Sequence, residues 1–220
     1  ARRKYAPTLE IENFGLSKSD LSTEFEAGSI LGIGKKTLQE IVNHLEAIYC
    51  DHIGIEYMYI RNPEEITWIQ NWLNKNDNHP SFSKEEKRHI LKKLNQTASF
   101  EGFLHSKYVG QKRFSVEGLD AMIPGLDTLI ERGSDKGVEQ FVVGMAHRGR
   151  LNVLANIFGK SPEAIFSEFD GKEYDEDELF DGDVKYHMGW TSFRESDKGH
   201  KIRMDLAPNP SHLETVGAVI

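Results

Sequence analysis

Apolar residues along the first half of the chain recur at helical spacing. Leu38, Ile41, Val42, Leu45, Ile48 and Tyr49 line one face of a predicted helix. Asn62 followed by Pro63 reads as an N-cap and first helical residue, opening a second helix through Ile66, Ile69 and Leu73. Ser83 and Glu86 have the spacing of a capping box, and Ile90, Leu91 and Leu94 give that third helix its stripe. A further short helix is expected from Thr97 to His105. Before these, residues 1–35 show little periodicity and contain Gly15, Gly28, Gly32 and Gly34, which reads as an irregular arm. Residues 36–108 then form a small helical region.

Beyond Val109-Gly110 the pattern changes to alternating helix and strand. Leu119, Met122, Ile123, Leu126, Leu129 and Ile130 make an amphipathic helix broken by Gly133. Gln140 to Met145 is an apolar run of the kind found in a parallel strand buried on both faces. Leu151, Val153, Leu154 and Ile157 resume helical spacing, and Ser161-Pro162 opens a helix through Ile165, Phe166 and Phe169. Lys172 to Asp183 holds seven acidic residues and reads as a solvated loop. Lys201 to Leu206 reads as a strand. The expected class is α/β, with residues 109–220 the first part of an incomplete parallel-sheet domain, because Val216–Ile220 is an apolar run with no stop signal.

Composition removes several classes of function. The net charge is -8 and the isoelectric point about 5.6, so the chain lacks the basic face that nucleic acid requires. No apolar run is long enough to span a bilayer and no signal-peptide pattern is present, so no membrane partner is expected. Hydrophobic residues at 38% suffice for a core. A single cysteine, Cys50, cannot form an intrachain disulfide, and its place in a helical pattern marks it as a small core residue.

Against that acidic background, Gln140 to Ser161 contains no Asp or Glu. His147, Arg148 and Arg150 interrupt it where the strand ends, the place at which open α/β sheets bind ligands. A cationic island there suits an anionic small molecule. Arginine can fork two hydrogen bonds onto phosphate oxygens, and histidine can donate to a carboxylate. From spacing alone, an equally good reading has the arginines paired with local carboxylates and His147 a satisfied core histidine. His187 read alone is a surface histidine after an acidic loop, with Gly189 allowing close backbone approach to a ligand. Ser211 and Glu214 fit a capping box, and Phe114 fits a core position. The remaining histidines show no metal-ligand spacing.

Four segments in order carry a resemblance: Arg113-Phe114-Ser-Val-Glu-Gly118, Gly-Met-Ala-His147-Arg148-Gly-Arg150-Leu-Asn-Val-Leu, Gly182-Asp-Val-Lys-Tyr-His187-Met-Gly189, and Asn209-Pro-Ser211-His212-Leu213-Glu214. Together they resemble the first component of 2-oxoglutarate dehydrogenase, whose chain continues for several hundred residues more. The resemblance implies a thiamine-diphosphate-binding domain from residue 109 onward. It implies decarboxylation of 2-oxoglutarate and transfer of the succinyl group to a lipoyl arm on the succinyltransferase core, by a homodimer. It places His147 and His187 on the substrate as the catalytic pair, with Ser211, Phe114, Thr191 and His212 beside them. Arg148 and Leu213 fall to the cofactor, and Arg150 to holding the loop. Mg²⁺ is implied with its ligands beyond residue 220, since Gly182-Asp183-Val184 lacks the second glycine of the usual motif. The implied compartment is the bacterial cytoplasm, or the mitochondrial matrix in a eukaryote. The related enzyme for 2-oxoadipate and a non-catalytic assembly module are the competing readings.

Overall fold

The computed structural model describes residues 6–27, 31–169, 187–210 and 212–217. The chain divides into two compact units, Ala1–Phe82 and Ser83–Ile220. In the first, short 3-10 turns lead to a two-stranded ladder of β1 (Glu24–Phe25) and β2 (Lys36–Thr37). Helix α1 (Leu38–Tyr49) follows, opened by a capping box of Thr37 and Glu40. Helix α2 (Pro63–Asn76) starts at Asn62, whose side chain accepts from the Glu64 N–H. Ile48, Tyr57 and Leu73 form the core of this unit. Cys50 is a half-buried free thiol at the C-cap of α1.

The second unit begins with α3, which runs without a break from Lys84 to Lys107. The short helix expected from Thr97 is therefore its second half. Helix α3 packs on α4 (Met122–Ser134) and α5 (Arg150–Asn156), inside the α/β unit. The compact units thus part at Phe82, 26 residues before the change of pattern near residue 108. The physical reason is the core: Leu104 and Tyr108 are buried with Ile123, Leu151 and Ile165. Helix α4 starts later than Leu119, which stands exposed in a turn closed by Asp120. It also runs through Gly133. A Cβ there would meet the Phe141 ring at 2.7 Å, so this glycine admits the strand against the helix.

Strands β3 (Gln140–Val143), β4 (Trp190–Glu195) and β5 (Lys201–Leu206) form one sheet in the order β3-β5-β4, with α6 (Pro162–Phe169) between β3 and β4 in sequence. β3 and β5 are parallel and β4 is antiparallel to β5, so the described sheet is mixed rather than parallel throughout. Nor is β3 buried on both faces. Ile202, Met204 and Leu206 enter the core, while Val142 (69% exposed) and Phe193 (75%) stand on the open side. On that side Asp205 accepts from Gln140, Thr191 and Arg203, and these bonds hold its carboxyl below the usual carboxylate range. No described helix is long and apolar enough to cross a membrane.

Candidate substrate and cofactor site

Parallel pairing puts the carboxyl ends of β3 and β5 side by side. After β3, Gly149 takes a left-handed φ of 76° and α5 begins at Arg150. A Cβ on Gly149 would lie 2.7 Å from Val116, so glycine is required for the approach as well as for the turn. Arg150 is fully buried, with no carboxylate partner among the described residues. Its guanidinium donates to the carbonyls of Met145 (3.2 Å), Met188 (2.8 Å) and Ala207 (2.7 Å), and burial pulls its pKa down to about 10. One side chain therefore clamps three segments: the β3 exit, the approach to β4 and the β5 exit. The loop-holding role expected of Arg150 is what these bonds perform.

The clamp brings together two histidines 40 residues apart. Nε2 of His147 lies 3.1 Å from Nε2 of His187. One nitrogen must donate and the other accept, so at least one ring is neutral while this contact stands. Burial first, then the facing His187 and Arg150, hold the His147 imidazole below the usual histidine range. Phe114 covers the other side of His147, its ring stacked at 4.9 Å and 29°. Phe114 adopts a left-handed φ of 46°, rare for a bulky residue, and its carbonyl accepts from the Gly149 N–H at 2.8 Å. It is thus a wall of the site rather than a core residue. Arg148 points the opposite way from Arg150. Exposed, it donates through Nη2 to the Glu117 carbonyl at 2.6 Å, beside Gly118, leaving the rest of the guanidinium outward.

Not every candidate is gathered here. Thr191 turns to the open face of the sheet, where its hydroxyl donates to Asp205 at 2.7 Å. Strand alternation decides this, since Trp190 and Ser192 face inward. His212 and Leu213 are exposed on a short helix, α7 (Leu213–Val216), with His212 as its N-cap and no capping side chain. Ser211 and Asp183 lie outside the described residues. Gly189 serves a different approach from the one expected: a Cβ would meet the Leu206 carbonyl at 2.9 Å, so it admits the end of β5, not a ligand.

Two residues were missed. Asn209 is buried, its N–H donates to the His187 carbonyl at 3.0 Å, and its Oδ1 has no hydrogen-bond partner. The Asn-Pro step, which restricts the asparagine backbone, was the available signal. Glu101 is 3% exposed beneath the Phe114 turn. Its signal was a lone carboxylate among Phe100, Phe103 and Leu104. Among the described residues, no group of three His, Cys, Asp or Glu could hold a metal ion.

The site is thus an α/β unit with a histidine pair, a clamped strand-end turn and an exposed arginine. No family model matches the chain. It is 45% identical over 215 residues to the 2-oxoglutarate dehydrogenase E1 component of Cupriavidus necator, covering 97% of this chain and 22% of that protein. The proteins of the same name from Brucella canis and Brucella suis are 43% identical over 213 residues, 96% of this chain and 21% of theirs. By sequence the chain belongs with the 2-oxoglutarate dehydrogenase E1 components, as a segment spanning about a fifth of the length of those relatives.

Proposed function

We propose that this chain is the part of a thiamine-diphosphate-dependent 2-oxoglutarate dehydrogenase first component that receives the substrate's charge and one side of the cofactor. The observation that carries the reading is the His147–His187 contact at the joined ends of β3 and β5. Two ring nitrogens facing each other across 3.1 Å form a donor pair for an oxyanion once both are protonated. A carboxylate oxygen entering between them would replace one neutral hydrogen bond with two charge-assisted ones. The stacked Phe114 shields one side of His147 from water, and Arg150 keeps the two histidine-bearing segments together.

The cofactor fits in charge: Arg148 presents an exposed guanidinium at the turn, held by a single bond to a backbone carbonyl. When bound, thiamine diphosphate supplies the nucleophilic carbon that lets a 2-oxo acid lose CO2. The chain's own residues orient the substrate and hold positive charge at its carboxylates. On this reading Leu213, exposed beyond β5, is assigned to the cofactor, and Ser211 and His212 to the substrate, on the resemblance alone. Mg²⁺ ligands belong to parts of the protein outside these 220 residues. The names of the relatives favour 2-oxoglutarate over 2-oxoadipate. The proposed activity takes a lipoyl-bearing succinyltransferase core as partner, with the chain in a homodimer and the bacterial cytoplasm as its compartment.

The test is kinetic, on the full-length enzyme. His147→Ala should lower kcat/KM for 2-oxoglutarate by about tenfold or more relative to a 2-oxo acid without the distal carboxylate, since a hydrogen bond to a charged group contributes about 1.5–3 kcal/mol. Equal losses on both substrates would place His147 at the shared 2-oxo acid end instead.

A further inference from the structure

We infer that Glu101 is a positioning residue for the histidine pair: its buried carboxylate ties the turn bearing Phe114 to the helix that follows His147, and so sets the aromatic ring against the imidazole. The inference rests on the site reading above and adds to it a residue that touches neither substrate nor cofactor.

Glu101 sits in α3 with Phe100 and Leu104 in the core around it. Burying a carboxylate is costly unless its partners are good, and hydrophobic residues of similar volume often serve stability as well or better. Here the partners are incomplete. Oε1 accepts from the Val116 N–H at 3.2 Å and from Asn152 Nδ2 at 3.1 Å. Oε2 has no hydrogen-bond partner. Arg113 Nε forms a long ion pair with it at 3.9 Å and no hydrogen bond, while Arg113 Nη1 lies 3.0 Å from His105 Nδ1. A group placed only for stability would be poorly chosen.

What the carboxylate does join is specific. Val116 fills the space that a Cβ on Gly149 would need, and Asn152 lies two residues beyond Arg150. Asn152 is itself fixed by the Thr97 carbonyl at 3.1 Å and by Asn156 at 2.7 Å. Between these anchors Phe114 holds its left-handed backbone, a strained conformation that persists only where neighbours impose it. The Gly149 N–H fixes Phe114 from above and Glu101, two residues along at Val116, from below. Loss of the lower anchor would let the turn relax and the Phe114 ring leave His147.

The experiment uses the full-length enzyme carrying Glu101→Leu or Glu101→Gln, with His147→Ala as reference. Glu101→Leu should lower kcat/KM for 2-oxoglutarate by roughly tenfold while unfolding stays cooperative. It should also move upward the limb of the pH profile that reports His147, because an uncovered imidazole regains water. Glu101→Gln, which keeps an acceptor at the same place, should restore kcat/KM to within about threefold and return the limb. If Glu101→Leu does not fold, Asn152→Ala removes one of the two ties and should shift the limb in the same direction. An unmoved limb in whichever variant folds, or a change in unfolding temperature alone, makes Glu101 structural and overturns the inference. Failure of His147→Ala to affect substrate use would instead overturn the site reading, leaving Phe114 and Glu101 without a catalytic partner.

Discussion

The strand-end turn and the open face of the sheet are both polar, both built on β3 and β5, and both contain a residue expected to bind substrate. They differ in what their polar groups have left to give. On the open face, Thr191, Gln140 and Arg203 all converge on Asp205, so donors and acceptor satisfy one another. At the turn, three carbonyls take up Nη1 and Nη2 of Arg150, and Arg148 and Asn209 beside that scaffold keep capacity that is not consumed. Arg148 points outward and Asn209 Oδ1 is unpartnered, while His147 and His187 face each other at 3.1 Å. Polarity alone does not mark a site. Residual hydrogen-bonding capacity on a rigid frame does.

The largest expected effect comes from breaking the frame. Arg150→Met keeps volume and removes the donors to Met145, Met188 and Ala207. Leaving buried carbonyls unpaired should cost on the order of 3 kcal/mol of stability, read from the urea midpoint by circular dichroism. A midpoint within error of the parent would mean that water replaces the guanidinium and that the clamp is not what joins the segments.

Next comes the proton balance of the pair. The neutral form of His147 is favoured in the folded chain, so its contribution to stability is present above the ordinary value of 6.5 and declines as pH falls through 6.5 toward its lowered folded value. A bound carboxylate reverses the preference, because it favours the charged ring. Binding of 2-oxoglutarate to the full-length enzyme should therefore take up a proton near neutral pH and tighten as pH falls. Calorimetry in buffers of different ionisation enthalpy measures the uptake directly. Binding with no proton uptake at any pH from 6 to 8 (about one unit either side of neutrality) would show that the rings do not charge against the ligand.

Smaller again is Arg148→Ala. The side chain is exposed and makes one backbone contact, so stability should hardly change. Cofactor affinity in the full-length enzyme should fall by roughly tenfold, the worth of one charge-assisted contact to phosphate. An unchanged thiamine diphosphate dissociation constant would return Arg148 to the role of a loop anchor.

Much of this frame was legible in sequence because it depends on local rules. The caps at Asn62 and Ser83, the helix opened by Pro162 and the strand from Lys201 follow from spacing and capping chemistry. The candidate turn was legible as an absence of acid around His147 and Arg148. What escaped depends on tertiary neighbours. Trp190–Glu195 alternates perfectly, yet its exposed Phe193 and inward Arg194 disguise the period. Arg194 is drawn inward by the buried Asp127, which also receives His89 and Lys93. No local pattern shows such a partner. Nor could spacing tell Arg148 from Arg150, since only the three carbonyls around Arg150 decide which of the two is buried.

The smallest effect is predicted where the sequence pointed and the structure did not follow. Thr191→Val replaces a hydroxyl by a methyl on the open face and removes one of three donors to Asp205. The site across the sheet keeps every contact, so kcat/KM for 2-oxoglutarate should stay within about twofold of the parent, the range of ordinary surface substitutions. The change should appear elsewhere. Asp205 is held below its ordinary value, first by Thr191 and then by Arg203 and Gln140. A carboxyl with a lowered folded pKa adds stability above the unfolded value, and that stability is lost as pH falls through the folded pKa. With valine at 191 the folded pKa moves back up, so acid unfolding should begin at a slightly higher pH. A loss of kcat/KM as large as that of His147→Ala, with acid unfolding unchanged, would put Thr191 on the substrate and undo the contrast between the two regions.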